Sequence, residues 1–202
     1  MNYTEILNLT LNDSLMILSA YLIGGISPGY LLVRMLRGVD LRTIGSGSLG
    51  ATNVGRILGR KWFYFTMVMD ILKGVFAVLL ARSLEFQPEI VCAVVVAVIA
   101  GHIWPLLLHF HGGKGIATSA GAFTALDYKI FLMGIAVLLI TYLVTRKFLP
   151  SWIATLVVMP LIAYFLGNPM SVVVSLLVSA VIILIAHKNN IMQVWFTSEH
   201  KA

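Results

Sequence analysis

Apolar runs recur along the whole of this 202-residue chain, and no polar stretch between them is long enough to fold by itself. That pattern fixes the solvent. A chain so built must satisfy its backbone inside its own helices and face its side chains to lipid. Seven such runs can be read, at 15–35, 62–81, 90–108, 116–126, 130–144, 152–166 and 170–186. They predict an all-α, polytopic membrane helix bundle of about seven transmembrane helices. One domain would cover 1–202, with a short polar segment at 1–13 and an interfacial tail at 187–202. Several runs fall short of the ~20 residues that cross a bilayer. The fourth, of 11 residues, suits a half-helix continuing from a re-entrant segment.

Composition separates this reading from an anchored soluble domain. Only 11% of the residues are charged and mean hydropathy is +0.96, against about 25% charged in a soluble domain. The first 13 residues carry no basic stretch, so a cleaved signal peptide is not expected. The net charge of +6 is better explained by cytoplasmic loops and anionic membrane lipid than by nucleic acid. With the N-terminus outside, eleven of the fourteen Lys and Arg residues fall on the cytoplasmic side. Arg82 and Lys129 lie outside and Lys73 lies within a run. The same orientation places the C-terminus and two glycine-rich loops on the cytoplasmic face.

The first loop is Gly45-Ser46-Gly47-Ser48-Leu49-Gly50-Ala51-Thr52-Asn53. It matches G-x-G-x-x-G, but a dinucleotide site needs a strand before it, and here the flanks are apolar helix. What survives is anion chemistry. Small residues let backbone N–H groups approach an oxyanion, Ser46, Ser48, Thr52 and Asn53 add donors, and Arg56 adds a guanidinium fork. A flexible packing loop is the plainer alternative. The second loop, Gly112-Gly113-Lys114-Gly115, is no Walker A motif, because Gly115 stands where Ser or Thr is required. It sets one cation among residues with no steric cover, although a snorkelling lysine at a helix end would look the same.

Other ionisable groups are fewer. His102 falls inside the third run, where an ionisable side chain carries a functional presumption. His109 and His111 have no metal-ligand spacing with it, so no metal is expected. Asp70 and Lys73, three residues apart, suit a structural ion pair. Cys92, the single cysteine, sits in an apolar run and suits an inert core thiol. At the end of the last run, His187 and Asn190 share a helical face, suiting either a base with an orienting amide or an interfacial cap.

Three ordered segments resemble the motifs of the bacterial membrane-embedded acyl-phosphate:glycerol-3-phosphate acyltransferases. The first resembles G-S-G-N-x-G-A-T-N, with Ser48 in place of the asparagine and Arg56 following. The second resembles G-H-x-x-P-x-x-x-x-F-x-G-G-K-G-x-A-T, matched by Gly101-His102, Pro105, Phe110, Gly112-Gly113-Lys114-Gly115 and Ala117-Thr118. The third resembles H-x-x-N-I-x-R-L-x-x-G-x-E-x-K, matched by His187, Asn190-Ile191, Glu199 and Lys201, with Gln193, Val194 and Thr197 departing from it. The resemblance covers roughly residues 20 to 201.

It implies transfer of a fatty acyl group from acyl phosphate to the 1-hydroxyl of glycerol 3-phosphate in a bacterial inner membrane, at a cytoplasmic-side site. The products would be lysophosphatidic acid and phosphate. A mixed anhydride is already activated, so neither cofactor nor metal, and neither CoA nor acyl carrier protein, is expected. On the matching positions, His187 with Asn190 would position or deprotonate the acceptor hydroxyl. Ser46, Asn53, Arg56 and Lys114, with the amides of Gly47 and Gly113, would hold phosphates. His102, Ser48 and Thr52 would support them. No His-x-x-x-x-Asp occurs and Ser46 lacks a nucleophile elbow, which favours direct attack over an acyl-enzyme. A membrane carrier for small phosphorylated metabolites is the competing reading, and an inactive lipid-sensing paralogue a third.

Overall fold

The computed structural model describes residues 9–189 and 191–192. Asn190 and residues 193–202, with most of the third motif and the anticipated tail, lie outside the described residues, as do residues 1–8. Among the described residues the structure is helical and contains no strand. The helices are α1 (Leu11–Gly25), α2 (Pro28–Arg37), α3 (Ala51–Leu58), α4 (Arg60–Ser83), α5 (Pro88–Ile103), α6 (Ile116–Leu126), α7 (Tyr128–Thr145), α8 (Phe148–Phe165) and α9 (Met170–Ala186).

The first apolar run, read from sequence as one segment, is broken in two. Proline disfavours helical backbone in the residue before it and cannot donate to a preceding turn. Pro28 therefore opens α2 behind the Ser27 cap, whose hydroxyl accepts from the Tyr30 amide. α1 ends at Gly25, and the Ile26 carbonyl at the break accepts instead from Lys73 Nζ of α4 at 2.8 Å. The start of α1 is set by a capping box between Thr10 and Asp13.

Among the described residues, five elements are long and apolar enough to cross a membrane: Leu11–Arg37 taken together, α4, α5 extended to Leu108, α7 and α8. α6 and α9 are shorter, at 11 and 17 residues. At 1.5 Å per residue α6 rises only about 17 Å, half of a bilayer core. Its bounds are those expected from sequence. α3 was not anticipated, since its apolar face is one short turn of Val54, Ile57 and Leu58.

α5 is the axis of the bundle, with eleven buried residues, and it packs against α1, α4, α6 and α9. Cys92 lies buried within it. α7 by contrast buries only Ile130 and Gly134 and turns most of its surface outward. The closest crossings are made by glycine, as expected where small residues let membrane helices approach. A side chain on Gly101 would meet the Tyr21 carbonyl of α1, and one on Gly121 of α6 would meet the Ile71 carbonyl of α4. Neither obstacle is a flexible side-chain end. Gly121→Val is therefore expected to cost about 1–3 kcal/mol by overpacking, read as a lowered thermal midpoint in detergent. Leu139→Ala, at a site 56% exposed on α7, should leave that midpoint nearly unchanged.

Candidate active site

The first glycine loop is held from within by Asn53. This side chain is only 1% exposed. Its Oδ1 accepts from the Ser46 amide at 2.9 Å, and its Nδ2 donates to the carbonyls of Ile44 and Ser48 at 3.1 and 3.0 Å. Both amide hydrogens are thereby engaged, so Asn53 is a clamp of the loop and not one of the phosphate donors expected from sequence. Gly45 passes so close to Asn53 that a side chain there would collide with Oδ1.

The second loop is tied to the first and to α5. The Leu49 amide donates to the Gly112 carbonyl at 3.2 Å, and the Gly113 amide donates to the His102 carbonyl at 3.0 Å. Arg42, paired with Asp40 at 2.6 Å, also reaches the Leu108 carbonyl at 3.2 Å. That guanidinium holds the half-buried Asp40 carboxyl down at about 2. Two segments some sixty residues apart thus form one rigid floor.

Above it lies a cavity of about 450 Å³, lined from six segments. Ser46, Ser48 and Thr52 come from the first loop and the start of α3, and Arg56 from α3. Lys114 comes from the second loop, Asp70 and His102 from the bundle, and His187 from the end of α9. Phe63, Met67, Phe148 and Leu149 give it an apolar flank. His109 and His111 stand exposed on the neighbouring turn and do not line it.

Two helices begin on this cavity. Ala51 and Thr52 open α3, and Ile116 and Ala117 open α6; all four residues line it. First-turn amides have no partner within their own helix and carry the positive end of the helix dipole, which gives the cavity a field suited to an anion. The glycines named from sequence do something else. The Gly47 amide closes a turn on the Ile44 carbonyl at 3.1 Å, the Gly113 amide is held by His102, and neither residue lines the cavity. Gly115, at φ +85°, supplies the left-handed turn that starts α6. The helix-start amides on the cavity therefore lie a few residues past the glycines. An early helix signal at Ala51 could have found them, but the stretch is too short for periodicity to speak.

Charge in the cavity is concentrated on Lys114 and Arg56. Burial, and then the Arg56 charge, push the Lys114 pKa below the ordinary lysine value, so its proton is more readily shared with a developing anion. His187 is 3% exposed. Its Nδ1 lies 2.9 Å from the Ile183 carbonyl. A carbonyl can only accept, so Nδ1 carries the proton and Nε2 keeps the lone pair. Burial lowers the imidazole pKa, with Lys114 contributing in the same direction against the opposing Ile183 bond. His187 is therefore a neutral, directed base at neutral pH.

Beneath the cavity Asp70, Lys73 and His102 form one buried cluster. Lys73 Nζ lies 2.9 Å from Asp70 Oδ1 and 2.8 Å from His102 Nδ1. The pair expected from sequence exists, and it is joined to a histidine and to the α1–α2 break.

The model of the glycerol-3-phosphate acyltransferase family matches residues 14–197. The chain is 39% identical over 181 residues to glycerol-3-phosphate acyltransferase 1 of Desulfitobacterium hafniense, spanning 90% of each chain. It is 37% identical over 190 residues to glycerol-3-phosphate acyltransferase of Clostridioides difficile, spanning 90% of this chain and 91% of the relative. Among solved structures it is similar to PlsY (YgiH), an integral membrane glycerol 3-phosphate acyltransferase, in its glycerol 3-phosphate form. That match has a TM-score of 0.83 at 30% identity over 92% of this chain and 93% of that chain. The lysophosphatidic acid form of PlsY gives a TM-score of 0.81 at 29% identity, over the same shares.

Replacing Asn53 with leucine keeps the branching at Cγ and removes three hydrogen bonds. Leaving such groups unpaired costs about 1–3 kcal/mol, so amide exchange across residues 44–50 should accelerate roughly ten-fold or more, read by mass spectrometry. Unchanged exchange would show that Asn53 does not clamp the loop.

Proposed function

Because this chain belongs to the glycerol-3-phosphate acyltransferase family, we propose that it moves a fatty acyl group from acyl phosphate to the 1-hydroxyl of glycerol 3-phosphate. The products are 1-acylglycerol 3-phosphate (lysophosphatidic acid) and inorganic phosphate. One observation carries the reading: a single cavity gathers two helix N-termini, Arg56, Lys114 and the neutral base His187 beside an apolar flank. Both substrates bring a phosphate and one brings a hydrocarbon chain, and the cavity offers a complement to each.

The chemistry follows from these groups. The 1-hydroxyl oxygen attacks the acyl carbonyl carbon, forming the ester C–O bond as the bond to the phosphate oxygen breaks. The hydroxyl proton passes to His187 Nε2 or to a phosphate oxygen, and the bonding pair leaves with phosphate. Lys114, Arg56 and the first-turn amides of α3 and α6 stabilise charge growing on the carbonyl oxygen and the departing phosphate. Ser46, Ser48 and Thr52 supply hydroxyl donors at the rim. Holding both anions on one floor contributes further by orientation. Asn190, which lies outside the described residues, is assigned from the motif alone as an amide that orients the acceptor. The donor is already activated, so CoA and acyl carrier protein have no part to play. The bias of Lys and Arg supports an N-terminus outside and a cytoplasmic site in a bacterial inner membrane.

The test is phosphate release by purified protein from palmitoyl phosphate, with and without glycerol 3-phosphate, and with palmitoyl-CoA as the alternative donor. Release that requires the acceptor and the acyl phosphate is expected. Accumulation of intact glycerol 3-phosphate in sealed vesicles without phosphate release would instead make the protein a carrier. Lys114→Ala and His187→Ala should each lower kcat by ~10²-fold or more at equal expression. Because the His187 pKa lies below its ordinary value of 6.5, the base stays unprotonated through pH 6.5, and kcat should fall only as pH drops further. A half-maximal point above 6.5 in the pH–rate profile would count against His187 as that base.

A further inference from the structure

The buried cluster under the cavity has a directionality that the acyl-transfer reading does not use. An ammonium has three N–H groups and no acceptor. Lys73 Nζ donates to the Ile26 carbonyl at 2.8 Å and to His102 Nδ1 at 2.8 Å, and it is ion-paired with Asp70 Oδ1 at 2.9 Å without hydrogen-bond geometry. The Asp70 carboxylate and the Lys73 ammonium neutralise each other, so the histidine is not needed as a cation. With Lys73 donating to it, Nδ1 must hold the lone pair, and the His102 proton sits on Nε2. His102 is 7% exposed and lines the cavity. Its Nε2 lies under the second glycine loop, in the space where a side chain on Gly113 would go. Among the described residues no acceptor meets that Nε2–H. A donor without a protein partner among the described residues, on a side chain that lines the cavity, is placed for an acceptor on a ligand.

We propose that His102 donates a hydrogen bond from Nε2 to an anionic oxygen of the reacting substrates, and that Lys73 and Asp70 are positioning residues that fix this tautomer. The two cavity histidines then have opposite polarity. His187 presents a lone pair, because a carbonyl holds its Nδ1 proton. His102 presents a proton, because an ammonium holds its Nδ1 lone pair. One accepts the hydroxyl proton, and the other donates to oxygen that gains charge. The donor role rests on the acyl-transfer reading; the tautomer rests on geometry alone.

The experiment uses the full chain with ¹⁵N-labelled histidine in lipid nanodiscs. His102→Gln identifies the His102 signals. The wild-type ring is expected to show a protonated Nε2 and an unprotonated Nδ1. In Lys73→Leu the Nδ1 should take the proton and turn to Asp70, 3.5 Å away, and kcat should fall about ten-fold or more with a much smaller change in KM for glycerol 3-phosphate. In Asp70→Asn/Lys73→Leu the asparagine amide can donate to Nδ1, which should restore the Nε2 proton and recover part of kcat. A purely structural ion pair would not give that rescue. If Lys73→Leu does not fold, His102→Gln should retain more activity than His102→Leu, because glutamine keeps an N–H donor. A wild-type ring protonated on Nδ1, a tautomer unchanged in a folded Lys73→Leu, or equal activity of the glutamine and leucine variants would each overturn the proposal. Absence of phosphate release by the wild-type protein would overturn the acyl-transfer reading while leaving the tautomer measurement intact.

Discussion

A lysine ammonium buried among membrane helices must be neutralised and hydrogen-bonded at once, and the way Lys73 meets that demand sets the arrangement around it. One partner is the Ile26 carbonyl exposed by the break between α1 and α2, another is the Asp70 carboxylate, and the third is the ring of His102 on α5. From His102 the order continues outward. Its carbonyl holds the Gly113 amide, the Gly112 carbonyl holds the Leu49 amide, and Asn53 clamps the loop that Leu49 belongs to. The path runs from a proline-induced helix break to the rim of the cavity through named polar contacts. Removing one partner would leave an uncompensated charge in a low-dielectric bundle, which is far more costly than losing the pair as a whole.

The second constraint is that the membrane forbids unsatisfied backbone, so helix ends are left unpaired only where something polar will meet them. α3 and α6 both begin on the cavity, with Arg56 in the second turn of α3 and Lys114 just ahead of α6 lining it as well. The glycines serve this arrangement indirectly. Gly45 and Gly113 let Asn53 and His102 close under the loops, and Gly115 makes the turn into α6. Glycine richness marks a tightly folded floor, and the helix-start amides on the cavity follow just after it.

Much of this was legible in the residues. The apolar runs gave the bounds of α6 and α9, and the motif spacing pointed to Ser46, Arg56, Lys114 and His187, which line one cavity. What could not be read had a physical cause in each case. The break at Ile26 sits within an apolar run whose hydropathy does not change there; only Pro28 betrays it. α3 is eight residues long, too short for a helical period to emerge. Asn53 has the composition of a phosphate donor, and only the folded loop shows both of its amide hydrogens engaged. Asp70 and Lys73 were visible as a pair, but their joining to His102 depends on how α4 crosses α5, which spacing along one helix does not encode.

The central claim is that one cavity holds both phosphate-bearing substrates between the two loops and His187. A structure with glycerol 3-phosphate and a non-transferable acyl phosphonate bound together tests it most directly. The account predicts both phosphorus groups inside the cavity, with oxygens at about 2.7–2.9 Å from Lys114 and Arg56. It also predicts first-turn amides of α3 or α6 on the same oxygens, and the acceptor hydroxyl within reach of His187 Nε2. Either phosphorus group bound away from this floor, or a hydroxyl turned from His187, would contradict it.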